Sequence, residues 1–199
     1  MGSSIALRER QALADLFSQL GPNQPTLCAG WTTADLAAHL VLRERRPDAA
    51  VGILGGPLAK WSKRILSKSA PRFIENVEKL RAGAPLWSPL RWFDSQANTL
   101  EMLIHHEDVR RAQPNWQPRD LSVIDGQLWQ VLKRSSRFLM RRLDVPLTLL
   151  APDGRTLGSD EGVRVMGEPL EILLYLTGRV NVARVDVSGQ GPDKSLLRI

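Results

Sequence analysis

The sequence predicts a mainly α-helical protein, with roughly 145 residues of helical bundle followed by a small α+β appendage. Apolar residues recur at intervals of three and four through the first 143 positions, whereas short β-prone runs set between turn residues appear only beyond Asp144. The composition is globular, 43% hydrophobic and 24% charged over 199 residues, and long enough to bury a core. The expected boundary therefore separates 1–144 from 145–199.

A first helix over 4–20 puts Leu13, Leu16, Phe17 and Leu20 on one face and stops at Gly21-Pro22. Thr32 then caps a second helix running to about Arg46, with Asp35 closing a capping box and Trp31 set to staple onto Leu36. Helices over 58–68 and 71–82 follow; Pro71 opens the latter, and Phe73, Val77 and Leu80 form its apolar side. The longest helix spans 92–112, capped by Asp94 or Ser95 and stopped at Gln113-Pro114, with Leu100, Leu103 and Ile104 apolar. Ile124, Leu128, Leu132 and Leu139 mark another over 123–143. After it, 147–151, the Pro152-Asp153-Gly154 turn and 156–165 read as a β-hairpin, 168–178 as a short helix, and 182–187 and 195–199 as strands.

Apolar runs of about five residues, such as Ile172 to Leu176, are too short for a transmembrane helix, so no membrane partner is expected. Charge arrives within the first ten residues, where a signal peptide needs its apolar stretch, and a cytoplasmic location is expected. The single cysteine, Cys28, forbids an intramolecular disulfide and reads as a buried, inert thiol. A net charge of +6 raises nucleic acid as a partner. Against it, the arginines alternate with acids, as in Arg8-Glu9-Arg10 and Arg43-Glu44-Arg45-Arg46, a pattern that reads as solvated surface. Gly52, Gly55 and Gly56 lack the Lys-Ser/Thr of a phosphate loop, and the six tryptophans are scattered like core anchors.

Three histidines are present: His39 in the second helix, and His105 and His106 in the longest one. Asn98, Glu101, His105 and Asp108 follow at intervals of three, four and three, which aligns them along one side of that helix. A Glu and a His one turn apart can share a metal ion, and His39 is the only histidine able to supply a third ligand from another helix. Two histidines and a carboxylate leave an open position on zinc or another divalent ion, which is the catalytic type of site. The same spacing also occurs on solvated helix faces, and His39 between Leu36 and Leu40 also suits a core histidine. His106, turned about 100° away, packs or caps, and becomes the alternative ligand if the register shifts by one. Asp35 is assigned to capping; Asp108 is left open as an acceptor for an imidazole N–H.

The stretches Trp31-Thr-Thr-Ala-Asp-Leu-Ala-Ala-His39-Leu and Glu101-Met-Leu-Ile-His105-His-Glu-Asp108 resemble the DinB-like superfamily, and within it the mycothiol-dependent maleylpyruvate isomerase group, over about residues 5–145. The resemblance implies a DinB-like bundle in which His39, Glu101 and His105 bind zinc. Residues Gly167 to Arg179 are similar to the end of those proteins, which implies a role for Arg179 in handling an anionic substrate; taken alone, Arg179 is also a cation at a helix C-terminus beside a glycine stop. A shorter appendage and the runs Arg43 to Asp48 and His105 to Arg111 look like a related subfamily rather than the isomerases themselves. The implied chemistry is activation of a low-molecular-weight thiol such as mycothiol at the metal, then attack on a small electrophile, giving isomerisation or S-transfer. The implied partners are a small-molecule thiol and a substrate. The alternative is a non-catalytic metal-binding or ligand-sensing bundle. The sequence leaves the oligomeric state open, a dimer included.

Overall fold

Ser4 caps helix α1 (Ile5–Leu20) by accepting the Leu7 N–H at 3.3 Å, and Gly21 ends it at φ 78°, a left-handed value natural to glycine. The computed structural model describes residues 4–45, 66–88, 95–141, 146–159 and 161–189. Backbone contacts divide the chain into two compact units, Met1–Gln117 and Pro118–Ile199. The division falls before the helix at 125–140, whereas the change in sequence texture comes after it, at 144/145.

In the first unit, α2 (Thr33–Arg45) begins with the expected capping box. The Thr32 N–H donates to Asp35 Oδ2 at 3.0 Å, and the Asp35 N–H donates to Thr32 Oγ1 at 3.3 Å. Thr32→Ala is expected to lower stability by about 1 kcal/mol, read as a lower urea midpoint at unchanged m value. A 3-10 turn (Ala70–Arg72) leads into α3 (Phe73–Ala82), and α4 (Ser95–Arg110) is the ligand-bearing helix. Of the helix expected over 58–68, residues 66–68 are helical, the helix running on to 69, and the rest lies outside the described residues, as do Asp94 and the strand expected over 195–199. Leu13, Phe17, Leu36, Leu40, Leu80 and Met102 fill the core where α1 to α4 meet.

Charged residues inside this core correct the expectation of a solvated surface for the two Arg/Glu runs. Arg10 and Glu44 form a bidentate buried pair, and Arg10 Nη1 also donates to the Leu80 carbonyl at 3.0 Å, so one guanidinium ties α1, α2 and α3 together. Glu9 is buried against His106, and Glu107 against Arg111, at 2.7 and 2.6 Å. For Arg10–Glu44 and Glu9–His106 the partner comes from another helix, which one-dimensional alternation cannot reveal; Glu107–Arg111 is a local pair one turn apart.

In the second unit, α5 (Asp125–Met140) packs against α6 (Pro169–Leu176), an apolar helix with all eight residues buried. The sheet has the order β2-β1-β3-β4, with β1 Leu147–Leu150, β2 Thr156–Gly158, β3 Val163–Met166 and β4 Asp186–Ser188. The hairpin expectation holds for β1 and β2, which pair antiparallel. It fails beyond Gly158, because β3 returns on the other side of β1 and runs parallel to it. Gly158 and Gly162 bracket that reversal at φ 102° and 98°, and a Cβ on either would stand about 2 Å from a backbone oxygen of Leu147 or Pro146. The strand expected over 182–187 shrinks to β4, since residues 180–182 form turns. Among the described residues no helix is long and apolar enough to cross a membrane.

Candidate metal centre

The loop 22–32, α2 and α4 supply the site. Leu36 and Leu40 bury one side of α2, and His39, one turn past the capping Asp35, is carried to the boundary between α2 and α4 with only 7% of its surface exposed. On α4 the stripe predicted from spacing is present. Glu101 Oε1 lies 3.2 Å from His39 Nε2 and 3.2 Å from His105 Nε2, so the two imidazoles converge on one carboxylate oxygen. The rings of His39 and His105 meet edge to face at 5.4 Å between centroids. Arg43, one turn after His39, donates to Asn98 Oδ1 at 2.7 Å and brings its Nε within 3.6 Å of Glu101 Oε1.

Asp108 resolves the role that spacing left open. Its carboxylate is fully buried, with Oδ2 2.8 Å from His105 Nδ1, so it fixes the far nitrogen of that ring. The Cys28 thiol donates to the same oxygen at 3.3 Å and lies 3.8 Å from His105 Nδ1. The backbone repeats the attachment, since the Leu27 N–H donates to the Asp108 carbonyl at 3.0 Å. The sequence reads Cys28 as a buried, inert thiol; it is instead partly buried and set beside His105, where the fold of the loop brings it across 77 residues of chain. Trp31 was expected to staple the helix start. It packs against the core cluster and also tilts over His39 at 5.1 Å between ring centroids.

The electrostatics follow from burial and from these partners. Burial opposes a charge on Glu101, but the hydrogen bonds from His105 and His39 outweigh it and hold the carboxyl well below the ordinary range, so Glu101 is an anion. Burial likewise works against a charge on His105, yet Asp108, Cys28 and Glu101 raise its pKa well above the usual imidazole value. For His39 burial prevails over Glu101 and lowers the pKa, favouring the neutral, ligating form. The Nδ1 of His39 is buried without a hydrogen-bond partner.

These donors fit a divalent ion. The ligating atoms of His39, Glu101 and His105 all lie within 4.8 Å of one another. Ligands at about 2.0–2.1 Å around a four-coordinate zinc stand roughly 3.3 Å apart, which is the separation the carboxylate oxygen keeps from each imidazole nitrogen. With only hydrogen bonds available, His105 must carry two protons to serve Glu101 and Asp108 together; a cation at Nε2 replaces one of them and leaves Nδ1–H for Asp108. A second group, Cys28, His105 and Asp108, meets the same distance criterion but uses the nitrogen on the other edge of His105. His106 takes no part, being buried against Glu9. Arg179 belongs to the other compact unit, where its Nη1 donates to the Thr177 carbonyl at 2.6 Å just past α6.

Among solved structures, the mycothiol-dependent maleylpyruvate isomerase matches with a TM-score of 0.60 at 18% identity, over 94% of this chain and 92% of that one. A mutant of that isomerase with one histidine replaced by alanine matches with the same values. At this identity the likeness establishes the fold, a DinB-like helical bundle with a small C-terminal α+β part. No curated protein matches the chain in sequence. The family model described as the mycothiol maleylpyruvate isomerase N-terminal domain matches residues 6–125, a span that holds every residue of the candidate metal centre, and the chain therefore belongs to that family.

Proposed function

We propose that this protein is a zinc-dependent enzyme that activates a low-molecular-weight thiol such as mycothiol for isomerisation or S-transfer on a small electrophile. The observation that carries the reading is the convergence of His39 Nε2, Glu101 Oε1 and His105 Nε2 from two helices, three donors of the catalytic type that leave room for a further ligand. When bound there, zinc supplies the Lewis acidity that lets a thiol exist as thiolate near neutral pH. The chain's own residues hold and orient. Asp108 accepts the Nδ1–H of His105 and keeps its Nε2 lone pair directed at the centre, and Trp31 restricts rotation of the His39 ring. Arg43 puts a fixed positive charge beside Glu101, which favours an anionic sulfur or substrate nearby. Arg179 is assigned to an anionic substrate group by analogy with the family. Mycothiol and maleylpyruvate occur in the descriptions of the matching family and isomerase, and it is that likeness which supports them here. A cytoplasmic location, where low-molecular-weight thiols are abundant, accords with this chemistry.

The test is spectroscopic. Protein loaded with Co(II) in place of zinc is titrated with mycothiol, and a near-ultraviolet thiolate-to-cobalt band is expected to grow to one equivalent. Addition of maleylpyruvate to the zinc form is then followed for isomer or thiol adduct. Cobalt that binds without developing the band would overturn the thiol-dependent enzyme and leave a metal-binding or sensing bundle.

A further inference from the structure

A second site lies in the same unit, against the opposite flank of α2. A cavity of about 400 Å³ is lined by Arg45 from α2, Lys68 and Arg72 from the segment before α3, and Lys79 from α3, with no carboxylate in its wall among the described residues. It shares no lining residue with the metal centre. We propose that this cavity binds a small organic phosphate, its phosphoryl group among the four cations and its carbon skeleton over Val41 and Leu42, which complete one wall.

The charge pattern is the first argument. Elsewhere in this unit a buried or half-buried arginine is matched by an acid, as Arg10 is by Glu44, Arg111 by Glu107 and Arg43 by Glu101. Around the cavity four cations gather, and among the described residues the single acid engaged is Glu75, which pairs with Lys79 one turn away on a largely exposed helix face and also feels the charge of Arg72. A pair of that kind contributes little and exchanges readily. Like charges gathered round a concave surface raise its positive potential and attract an anion.

The second argument is preorganisation. Arg45 Nη2 donates to the carbonyls of Lys79 and Gly83 at 3.4 and 3.1 Å, which anchors its guanidinium at the end of α3, while its buried Nε has no hydrogen-bond partner. Asn76, 1% exposed, donates to the Ser69 carbonyl at 2.9 Å and so holds the segment bearing Lys68 and Arg72 against α3. The donors are thus mounted on elements that are tied to one another before any ligand arrives.

Charge and size select the ligand class. A phosphate monoester carries about −1.5 to −2 at neutral pH and offers three acceptor oxygens, which suits the Arg72 guanidinium, the remaining N–H groups of Arg45 and two ammonium groups better than a single carboxylate does. The volume lies in the range of small-molecule pockets and well exceeds that of a bare phosphate, leaving space for an organic part on the apolar wall.

Glucose 6-phosphate, inorganic phosphate, citrate and potassium chloride, all at matched ionic strength, are the probes, read by calorimetric titration and thermal midpoint. The sugar phosphate is expected to saturate at the lowest concentration and inorganic phosphate to compete with it. Lys68→Gln/Arg72→Gln, both exposed positions, should weaken that binding at least tenfold while metal content and circular dichroism stay unchanged. Arg137→Gln, on α5 in the other unit, should leave it unaltered. An equal response to potassium chloride, citrate binding as tightly as the phosphates, or a double variant that binds like the native chain would each overturn the proposal. Because the metal ligands are not in the cavity wall, failure here leaves the metal reading standing, and failure there leaves this one standing.

Discussion

Glu44→Ala is expected to lower the stability of the protein by about 3–5 kcal/mol, the largest effect of any single substitution remote from the metal centre. Glu44 is 1% exposed and, among the described residues, is the only acid bonded to the Arg10 guanidinium, which also holds the Leu80 carbonyl. Removing the carboxylate leaves a cation in the interior where α1, α2 and α3 meet, with a single carbonyl to solvate it. The cost is desolvation of the unmatched charge rather than the lost attraction, so Arg10→Met/Glu44→Leu should recover most of the deficit by removing both charges together. Urea unfolding of the three proteins checks this. A single variant within 1 kcal/mol of the native chain would mean that water reaches Arg10.

Glu101→Ala is expected to abolish metal binding. Native protein loaded with zinc and desalted should retain about one ion per chain by elemental mass spectrometry, and both Glu101→Ala and His39→Ala should retain less than about a tenth of that. The carboxylate touches both imidazoles, so its loss removes a ligand and also the anion that draws the two rings together. Asp108→Asn is expected to behave differently. It keeps all three ligands but no longer fixes the His105 tautomer, and should weaken zinc affinity by roughly 10–100-fold without abolishing it. A native chain that takes up no metal under any loading condition would refute the proposed ligand set and make the cluster a hydrogen-bonded core feature.

What could be read from the sequence was whatever periodicity within a single element encodes. The cap at Thr32, the stop at Gly21, and the alignment of Asn98, Glu101, His105 and Asp108 on α4 are local consequences of helix geometry, and the structure contains each of them. Pairing His39 with that stripe needed one further step, the scarcity of histidine. Relations across elements were not legible. Nothing near Arg10 in the chain announces Glu44, 34 residues on, and alternation of charge looks the same whether the partner lies in solvent or in a neighbouring helix. Cys28 stayed hidden for the same reason. The parallel strand β3 was missed because β-prone runs report that strands exist but not on which side of β1 the chain returns, which here is decided by glycines at positive φ.

Helix α4 presents two histidines in succession, and a rotation of one residue would exchange them. The Glu9–His106 pair, bridging 97 residues to α1, selects between the two phases, because only one rotation of α4 satisfies it along with the tie from Leu27 to the Asp108 carbonyl. The alternative phase would break both at once, so it is a separate state and not a small distortion of this one. The angular setting of the metal centre is thus encoded in a helix that contributes no ligand to it. Substitutions at Glu9 would be expected to alter which imidazole faces His39 even with every ligating residue intact.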